Sequence, residues 1–180
     1  MHLYFITKNK AKFNEVKTML ADIEQLEIEL PEIQEIDAKT IVRRKLLEAL
    51  KYKKAEFIIE DTSLYLDCLN RLPGPLIKWF IQAIGNKGLF DIADRFDNDK
   101  AEARTIIGYA RGPTEINFFE GSIKGRIVSP RGRSIFGWDP VFQPEGFSKT
   151  FAEMTQAEKN FVSMRRIALD KLKEFICSQY

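Results

Sequence analysis

The stretch FIIEDTSLYLD, residues 57–67, lies at the centre of the predicted fold. Residues 57–59 form an apolar run typical of a buried strand, and the run stops at Glu60 and Asp61. Two adjacent carboxylates beside a core repel each other and lose hydration, so they cost free energy unless a positive group compensates them. On these residues alone, a functional pair is about as favoured as a polar loop with Asp61 in a turn.

The first third of the chain predicts alternating strands and helices. Residues 3–7 are rich in β-forming side chains, and residues 10–21 carry apolar side chains at helical spacing. Residues 26–30 alternate as a strand that Pro31 stops, and residues 38–53 again show helical spacing. This order of elements favours a sheet covered by helices.

The middle of the chain predicts a β-rich second lobe. Pro75 is suited to the first position of a helix that continues to residue 84, and residues 88–96 predict a further short helix. Residues 103–128 contain strand-like runs separated by glycines and a Gly-Pro pair, as in antiparallel hairpins. One α/β domain spanning residues 1–180 is therefore expected.

One long helix is predicted at the end of the chain. Thr155 and Glu158 have the spacing of a capping box at its start. Its buried stripe is expected to consist of Phe161, Ala168, Leu172 and Phe175, with Ile167 and Leu169 adjacent.

Composition limits the classes of function. With 44% apolar and 30% charged residues, the chain is expected to be a soluble protein with a large core. Twenty-eight basic against 26 acidic residues leave a net charge of +2, so a nucleic-acid partner is not expected. The two cysteines, Cys68 and Cys177, form no Cys-x-x-Cys motif and fit free thiols in a reducing cytoplasm. Neither a signal peptide nor a membrane span is recognised, so a cytoplasmic protein without membrane contact is expected.

The single histidine, His2, limits the possible chemistry. It excludes a Ser-His-Asp triad, a catalytic Cys-His pair and a histidine-rich metal cluster. If the chain is an enzyme, carboxylates, lysines and a hard metal ion must carry its reaction.

The turn after the first strand is a candidate anion site. Asn9 fits the N-cap of the helix, which places Lys10 and Lys12 in the first helical turn. Lysines there oppose the helix dipole, whereas a bound anion would be favoured by the dipole, the backbone N–H groups and the lysines together. Thr7 and Asn9 can add hydrogen bonds. A solvated basic helix start is the alternative, and these residues alone favour it slightly.

The anion site and the carboxylates lie at the same edge of the sheet if the first and third predicted strands are parallel neighbours. Phosphates and carboxylates repel each other unless a divalent cation lies between them. Mg²⁺ is held in this way, by one or two carboxylates plus phosphate oxygens. Glu32, directly after Pro31, is a further candidate ligand. A metal ion is therefore the predicted compensating charge for Glu60 and Asp61.

A series of motifs runs along nearly the whole chain. The motifs are T-x-N-x-x-K at 7–12, LPEIQ at 30–34, EDTSL at 60–64, LPGPLIKWF at 72–80, GRIVSPRG at 125–132, FGWDPVFQPEG at 136–146, TFAEM at 150–154 and AEKNFVSMR at 157–165. In these motifs the chain resembles the inosine triphosphate pyrophosphatase family, also called Ham1-like, and in particular its archaeal and eukaryotic branches. Each motif alone is weak, but all of them in this order are specific.

The resemblance implies an enzyme that hydrolyses non-canonical purine nucleoside triphosphates, such as ITP, dITP and XTP, to the monophosphate and pyrophosphate. It implies Mg²⁺ as the cofactor, with Mn²⁺ as a possible substitute, and a homodimer. The implied fold is α/β, with a long mixed sheet flanked by helices and two lobes that enclose a nucleotide-binding cleft.

The resemblance also implies roles for individual residues. Asp61 is the expected activator of water, and with Glu32 and Glu60 it forms the expected metal site. The expected substrate-binding residues are Thr7, Asn9, Lys12, Lys45, Asp61, Thr62, Phe136, Gly137, Trp138, Asp139, Lys159, Ser163, Met164 and Arg165. Phe136 or Trp138 could stack on a purine; without the resemblance, an aromatic core plug in a turn is favoured for this segment.

One position departs from the family pattern. The family usually has Ser-His-Arg where this chain has Ser163, Met164 and Arg165. Methionine cannot donate the hydrogen bond of a histidine, so intact catalysis with altered base discrimination is expected. Two alternatives stay open: a pyrophosphatase that prefers other nucleotides, and a catalytically weak nucleotide-binding sensor.

Overall fold

A computed structural model describes residues 2–133 and 137–178. The strands are β1 (Leu3–Ile6), β2 (Ile23–Leu26), β3 (Glu56–Leu66), β4 (Pro73–Gly74), β5 (Lys100–Gly112), β6 (Glu115–Ile127) and β7 (Phe142–Pro144). The helices are α1 (Lys10–Met19), α2 (Ala38–Tyr52), α3 (Ile77–Arg95), α4 (Gln156–Val162) and α5 (Met164–Ser178). A single 3-10 turn, Asp67–Leu69, follows β3. The predicted α/β class is confirmed.

The strands form one mixed sheet of seven strands in the order β2-β1-β3-β5-β6-β7, with β4 paired to β3. β1 runs parallel to β2 and β3, whereas β4 and β7 run antiparallel to β3 and β6. The first and third strands are therefore parallel neighbours, which is the condition for the two predicted sites to lie at the same edge of the sheet. The register that pairs Leu3 with Glu56 places Thr7 level with Glu60.

The two carboxylates do not end their strand, which corrects the sequence-based expectation. β3 continues through Glu60 and Asp61 to Leu66 as one strand of 11 residues. Beyond the carboxylates it pairs with β4, where Leu64 and Tyr65 lie opposite Gly74 and Pro73. Leu64 and Leu66 are also fully buried, so the second half of the strand has a core of its own to support it.

The predicted strand at residues 26–30 is wrong, because β2 spans Ile23–Leu26. Ile23 is fully buried and pairs with Leu3, so burial fixes the register at the start of the strand. The neighbouring strand ends at Ile6, and residues 27–30 therefore have no partner strand there. Periodicity alone favoured the alternating segment, whose later residues have no partner strand, over the paired one.

The middle segments join into longer elements than the sequence predicted. Helix α3 begins at Ile77 rather than at Pro75, and it includes the predicted short helix after a break at Gly85. The strand-like runs form two strands of 13 residues each, β5 and β6, linked by residues 113–114. A two-residue link joins antiparallel strands, so the hairpin expectation holds with fewer, longer strands.

The C-terminal helix is not continuous. Ser163 has extended backbone angles (φ −78°, ψ 138°) and separates α4 from α5. The predicted capping box of Thr155 and Glu158 is confirmed at the start of α4. The predicted burial of Phe161 is wrong, because its side chain is 86% exposed. The buried stripe is present only in α5, where Ala168, Leu169 and Leu172 are fully buried.

The chain forms two compact units. The first contains the residues up to Asp61, Ile106–Glu120 and the segment from Ile167 onward; the second contains Thr62–Thr105 and Gly121–Arg166. In the first unit one apolar cluster includes α2 and a second includes α1 and α5, whereas a single cluster fills the second unit. Among the described helices, none has the length and hydropathy of a membrane span.

Candidate active site

The start of α1 is capped as the sequence predicts. The Asn9 side chain accepts a hydrogen bond from the Lys12 backbone N–H at 3.1 Å, and the Asn9 backbone N–H donates to Thr7 Oγ1 at 3.1 Å. No acidic side chain occupies the first turn of this helix. The helix therefore presents its positive end, with N–H groups that have no intrahelical partner, just after β1.

Glu60 is compensated by a lysine of this same helix. Lys12 Nζ lies 2.8 Å from Glu60 Oε1, and the Glu60 side chain is only 1% exposed. Because successive side chains of a strand point to opposite faces, Glu60 shares the face of Ile58, which packs with Val16 of α1. Lys12 therefore supplies a positive group that compensates Glu60, one of the two adjacent carboxylates.

Asp61 belongs to the opposite face of the strand. It shares that face with Ile59, which packs in the cluster that contains Val42 of α2. The two adjacent carboxylates therefore lie on different faces, which reduces their repulsion without a shared cation.

A second lysine–carboxylate pair involves α2. Lys45 Nζ lies 2.6 Å from Glu32 Oε1, and the Lys45 side chain is 17% exposed. The helix is fixed by its N-cap Asp37, which accepts from the Lys39 and Thr40 backbone N–H groups. The Thr40 hydroxyl also donates to this carboxylate, and this bond lowers the pKa of Asp37.

A third pair lies in the second unit. Lys159, on α4, donates a hydrogen bond to the carboxylate of Asp139. Asp139 is only 4% exposed. The Lys159 ammonium also lies 5.0 Å from the centre of the Phe151 ring. At the start of the same helix, hydrogen bonds from the Lys149 side chain and the Thr155 backbone lower the pKa of Glu158 to about 2.

The other predicted site residues of the second unit are mostly packed. Ser163, Met164 and Arg165 are 3%, 3% and 8% exposed, and Met164 belongs to the apolar cluster of this unit. The Ser163 hydroxyl accepts from the Arg166 backbone N–H, and the Thr62 hydroxyl lies 3.3 Å from that of Thr105.

The structure supports the core interpretation for Trp138, one of the two aromatic residues predicted to stack on a purine. Its indole is 3% exposed and packs edge-on against Phe142, with ring centroids 5.5 Å apart. A buried ring of this kind holds the turn in place rather than presenting a face to a ligand. Phe136, the other predicted stacking residue, lies outside the described residues.

The predicted three-carboxylate metal site is not assembled as a cluster. In the described parts of the chain, no group of three or more His, Cys, Asp or Glu side chains is close enough to hold a metal ion. Glu60 and Glu32 instead each contact a lysine. The donor chemistry still suits Mg²⁺, which takes one or two carboxylates and completes its shell with phosphate oxygens and water.

Sequence reasoning missed how these residues pair and also missed Asn86. Three lysines predicted to contact a nucleotide each contact a carboxylate that was also predicted for the site. The pairs are Lys12–Glu60, Lys45–Glu32 and Lys159–Asp139. Asn86 donates a hydrogen bond to the carbonyl of Gly137, and the signal that could have found it is the pair of glycines, Gly85 and Gly88, inside a helical pattern.

Comparison with known proteins agrees with these motifs. The sequence profile of the Ham1 family matches residues 3–175. The chain belongs to the Ham1 family. It is 40% identical over 181 residues to the inosine triphosphate pyrophosphatase of Schizosaccharomyces pombe, covering 98% of this chain and 96% of the relative. It is 42% identical over 177 residues to inosine triphosphate pyrophosphatase 1 of Trypanosoma cruzi, covering 96% and 90%. These eukaryotic relatives fit the branch that the motifs indicated.

Solved structures show the same fold. A HAM1 protein from Coxiella burnetii superposes with a TM-score of 0.86 at 23% identity, covering 99% of this chain and 100% of that one. A nucleoside-triphosphatase, or dITP/XTP pyrophosphatase, from Mycobacterium abscessus has a TM-score of 0.77 at 26% identity, covering 96% and 98%. The predicted fold class is thereby confirmed at the level of the whole chain.

Proposed function

We propose that this protein is a nucleoside triphosphate pyrophosphohydrolase that converts ITP, dITP and XTP to the monophosphate and pyrophosphate with Mg²⁺, and that Mn²⁺ can substitute. The observation that carries the proposal is the Lys12–Glu60 pair beside the capped start of α1. It joins a phosphate-attracting helix end to a carboxylate within one unit of the fold. The near full-length similarity to relatives named inosine triphosphate pyrophosphatase supports the substrate class.

The triphosphate is bound by lysine ammonium groups and by the N-terminal end of α1. Thr7, Asn9 and Lys12 bind phosphate oxygens through hydroxyl, amide and ammonium groups, together with the N–H groups of the helix. Lys45 and Lys159 supply further positive charge as flexible ammonium groups. For this to happen, each lysine exchanges its carboxylate for a phosphate. This exchange leaves Glu32 and Glu60 available to a divalent cation.

The released carboxylates suit a divalent cation. Glu32, Glu60 and Asp61 are the proposed ligands. Because Glu60 and Asp61 lie on opposite faces of β3, one or two of the three would hold Mg²⁺, and the ion would neutralise charge that develops on the phosphates. Asp61 accepts the proton of the attacking water. The water oxygen forms a bond to the α-phosphorus, and the bond from that phosphorus to the pyrophosphate oxygen breaks. The products are one nucleoside monophosphate and one pyrophosphate.

The base and sugar are bound by the second unit. Phe136, Gly137, Trp138 and Asp139 form the loop proposed to hold them, and Ser163 and Met164 flank the base site. Arg165 donates to the 6-oxo group of hypoxanthine or xanthine through its guanidinium. Guanine also carries this oxo group, so Arg165 alone does not exclude GTP.

The proposal includes a cytoplasmic homodimer. Trp79 on α3 is 49% exposed, and exposed aromatic side chains of this size are typical of interfaces. The two free cysteines fit a reducing cytoplasm. Sedimentation of the wild type and of Trp79→Glu tests the dimer: a monomeric wild type contradicts it.

The test of the reaction is product analysis with ITP. Equal amounts of inosine monophosphate and pyrophosphate, without orthophosphate, are expected. Asp61→Asn is expected to lower kcat by about 100-fold or more, because it removes the proton acceptor. Asp94→Asn, on an exposed part of α3, is the matched control and should leave kcat unchanged. Unchanged turnover in Asp61→Asn would remove this carboxylate from the mechanism.

A further inference from the structure

Helix α3 contains a break that only glycine allows. Gly85 has φ 66° and ψ −175° inside α3, a backbone region that side chains with a Cβ essentially never adopt. Three residues later, a Cβ on Gly88 would lie 2.5 Å from the Cβ of Ile84, so a side chain at Gly88 would force the segment to shift. The chain therefore fixes the backbone on both sides of Asn86.

The residue held by this break contacts the loop proposed to bind the base and sugar. Asn86 Nδ2 donates to the carbonyl of Gly137 at 2.9 Å. Gly137 directly precedes Trp138, whose indole is buried, and Asp139, which accepts from Lys159. This hydrogen bond therefore holds Gly137, the first described residue of the loop, against α3.

The other end of the Asn86 amide is not satisfied. Its Oδ1 is buried and has no hydrogen-bond donor within the described structure. Leaving a buried acceptor dry costs about as much free energy as a typical hydrogen bond contributes, or more. A buried unsatisfied group is one of the features that can mark a functional position, and here it accompanies the bond to Gly137 and the break at Gly85.

We infer that Asn86 is a positioning residue that fixes the Gly137–Asp139 turn and thereby sets the affinity for the nucleotide. The inference rests on the proposed function, because that function gives the turn its ligand. Asn86 acts through Gly137 and takes no part in the chemical step. Its loss should therefore weaken substrate binding and leave the rate of the bound complex unchanged.

The variants separate positioning from folding. Asn86→Ala removes both the donor and the unsatisfied acceptor, and Asn86→Asp keeps the shape but cannot donate to a carbonyl when ionised. Both are expected to raise KM for ITP about fivefold to tenfold, the equivalent of one hydrogen bond, with kcat within about twofold of wild type. Asn86→Gln, which keeps the donor, should recover part of the loss. Lys87→Ala, which removes only a surface pair with Asp91, is the matched control.

A second measurement does not depend on activity. The chain has two tryptophans, so Trp79→Phe leaves Trp138 as the only one. In that background, Asn86→Ala is expected to increase acrylamide quenching of Trp138, while the Tm stays close to that of the background because the removed bond and the removed unsatisfied acceptor offset each other.

The outcomes distinguish the two proposals. A wild type that does not hydrolyse ITP overturns the proposed function, and Trp138 quenching then still decides whether Asn86 fixes the turn. An active wild type with unchanged KM and unchanged quenching in Asn86→Ala overturns the positioning role. A large fall in Tm with unchanged KM would make Asn86 a structural residue only.

Discussion

Replacing Lys12 by methionine tests the ion pair on which the account of the site depends. The substitution leaves the Glu60 carboxylate, 1% exposed, without the ammonium 2.8 Å away. Removing one partner of a buried pair costs about 3–5 kcal/mol, because the carboxylate that stays buried loses a close positive charge. For a chain of this length, this corresponds to a fall in Tm of roughly 6–20 °C.

The reverse substitution, Glu60→Gln, should cost much less. The Lys12 side chain is 19% exposed, so its ammonium can turn toward water when the carboxylate is gone. The double variant removes both charges and should recover about 2 kcal/mol or more of the loss caused by Lys12→Met.

The free energy of unfolding of the wild type, Lys12→Met, Glu60→Gln and the double variant is measured by urea denaturation followed by tryptophan fluorescence. Lys51→Met is the matched control, because it breaks a helix-surface pair with Glu48 in which the lysine is 70% exposed, and it should cost less than about 1 kcal/mol. A stabilising buried ion pair is contradicted if Lys12→Met costs no more than Lys51→Met, or if the effects of the two single substitutions at the pair simply add.

Three further predictions concern other parts of the molecule. Met164→His places a polar ring in the core and should destabilise the protein by about 1–3 kcal/mol; unchanged stability with altered base preference would instead support a contact with the base. The pKa of Glu158 is lowered from 4.5 to about 2, so the stability that its carboxylate contributes is present above pH 4.5 and is lost as the pH falls through 2. The difference in Tm between wild type and Glu158→Gln should therefore shrink over that pH range. A constant difference in Tm would contradict this. Burial raises the pKa of the Cys68 thiol, so Ellman's reagent should modify the exposed Cys177 first and Cys68 slowly; equal rates would contradict this.

Local signals predicted the elements well where one residue type decides the conformation. Asn9 and Thr155 form the predicted N-caps, since a short side-chain acceptor next to a helical pattern leaves few other arrangements. The order of strands and helices also favoured a sheet covered by helices, and the parallel pairing of β1 and β3 fits that order. These features depend on contacts between residues close in sequence or on general rules of connection.

Features that depend on distant partners were not predictable. β3 continues through Glu60 and Asp61 because a strand formed from residues 73–74 pairs with it, and nothing in the stretch itself reveals that partner. Helical periodicity placed Phe161 in a buried stripe, but extended backbone at Ser163 interrupts the helix. Periodicity records which residues could share a face, not where the chain turns.

The candidate site was predicted by residue type but not by arrangement. Carboxylates and lysines were expected to act on a metal ion and on phosphates, respectively. In the structure they bind each other, as Lys12 does with Glu60 and Lys45 with Glu32. A sequence shows which side chains carry charge, but it does not show which of them the fold brings into contact with one another.

The central claim is the hydrolysis of non-canonical purine nucleoside triphosphates, and its most direct test is pyrophosphate release with Mg²⁺ from ITP, dITP, XTP, GTP, ATP and dTTP at equal concentration. Rapid release is expected from ITP, dITP and XTP, and much slower release from ATP and dTTP, whose bases lack the 6-oxo purine edge proposed to bind Arg165; the rate with GTP measures how far Met164 alters discrimination. A flat profile, a preference for dTTP, or no release from any of the six would contradict the central claim.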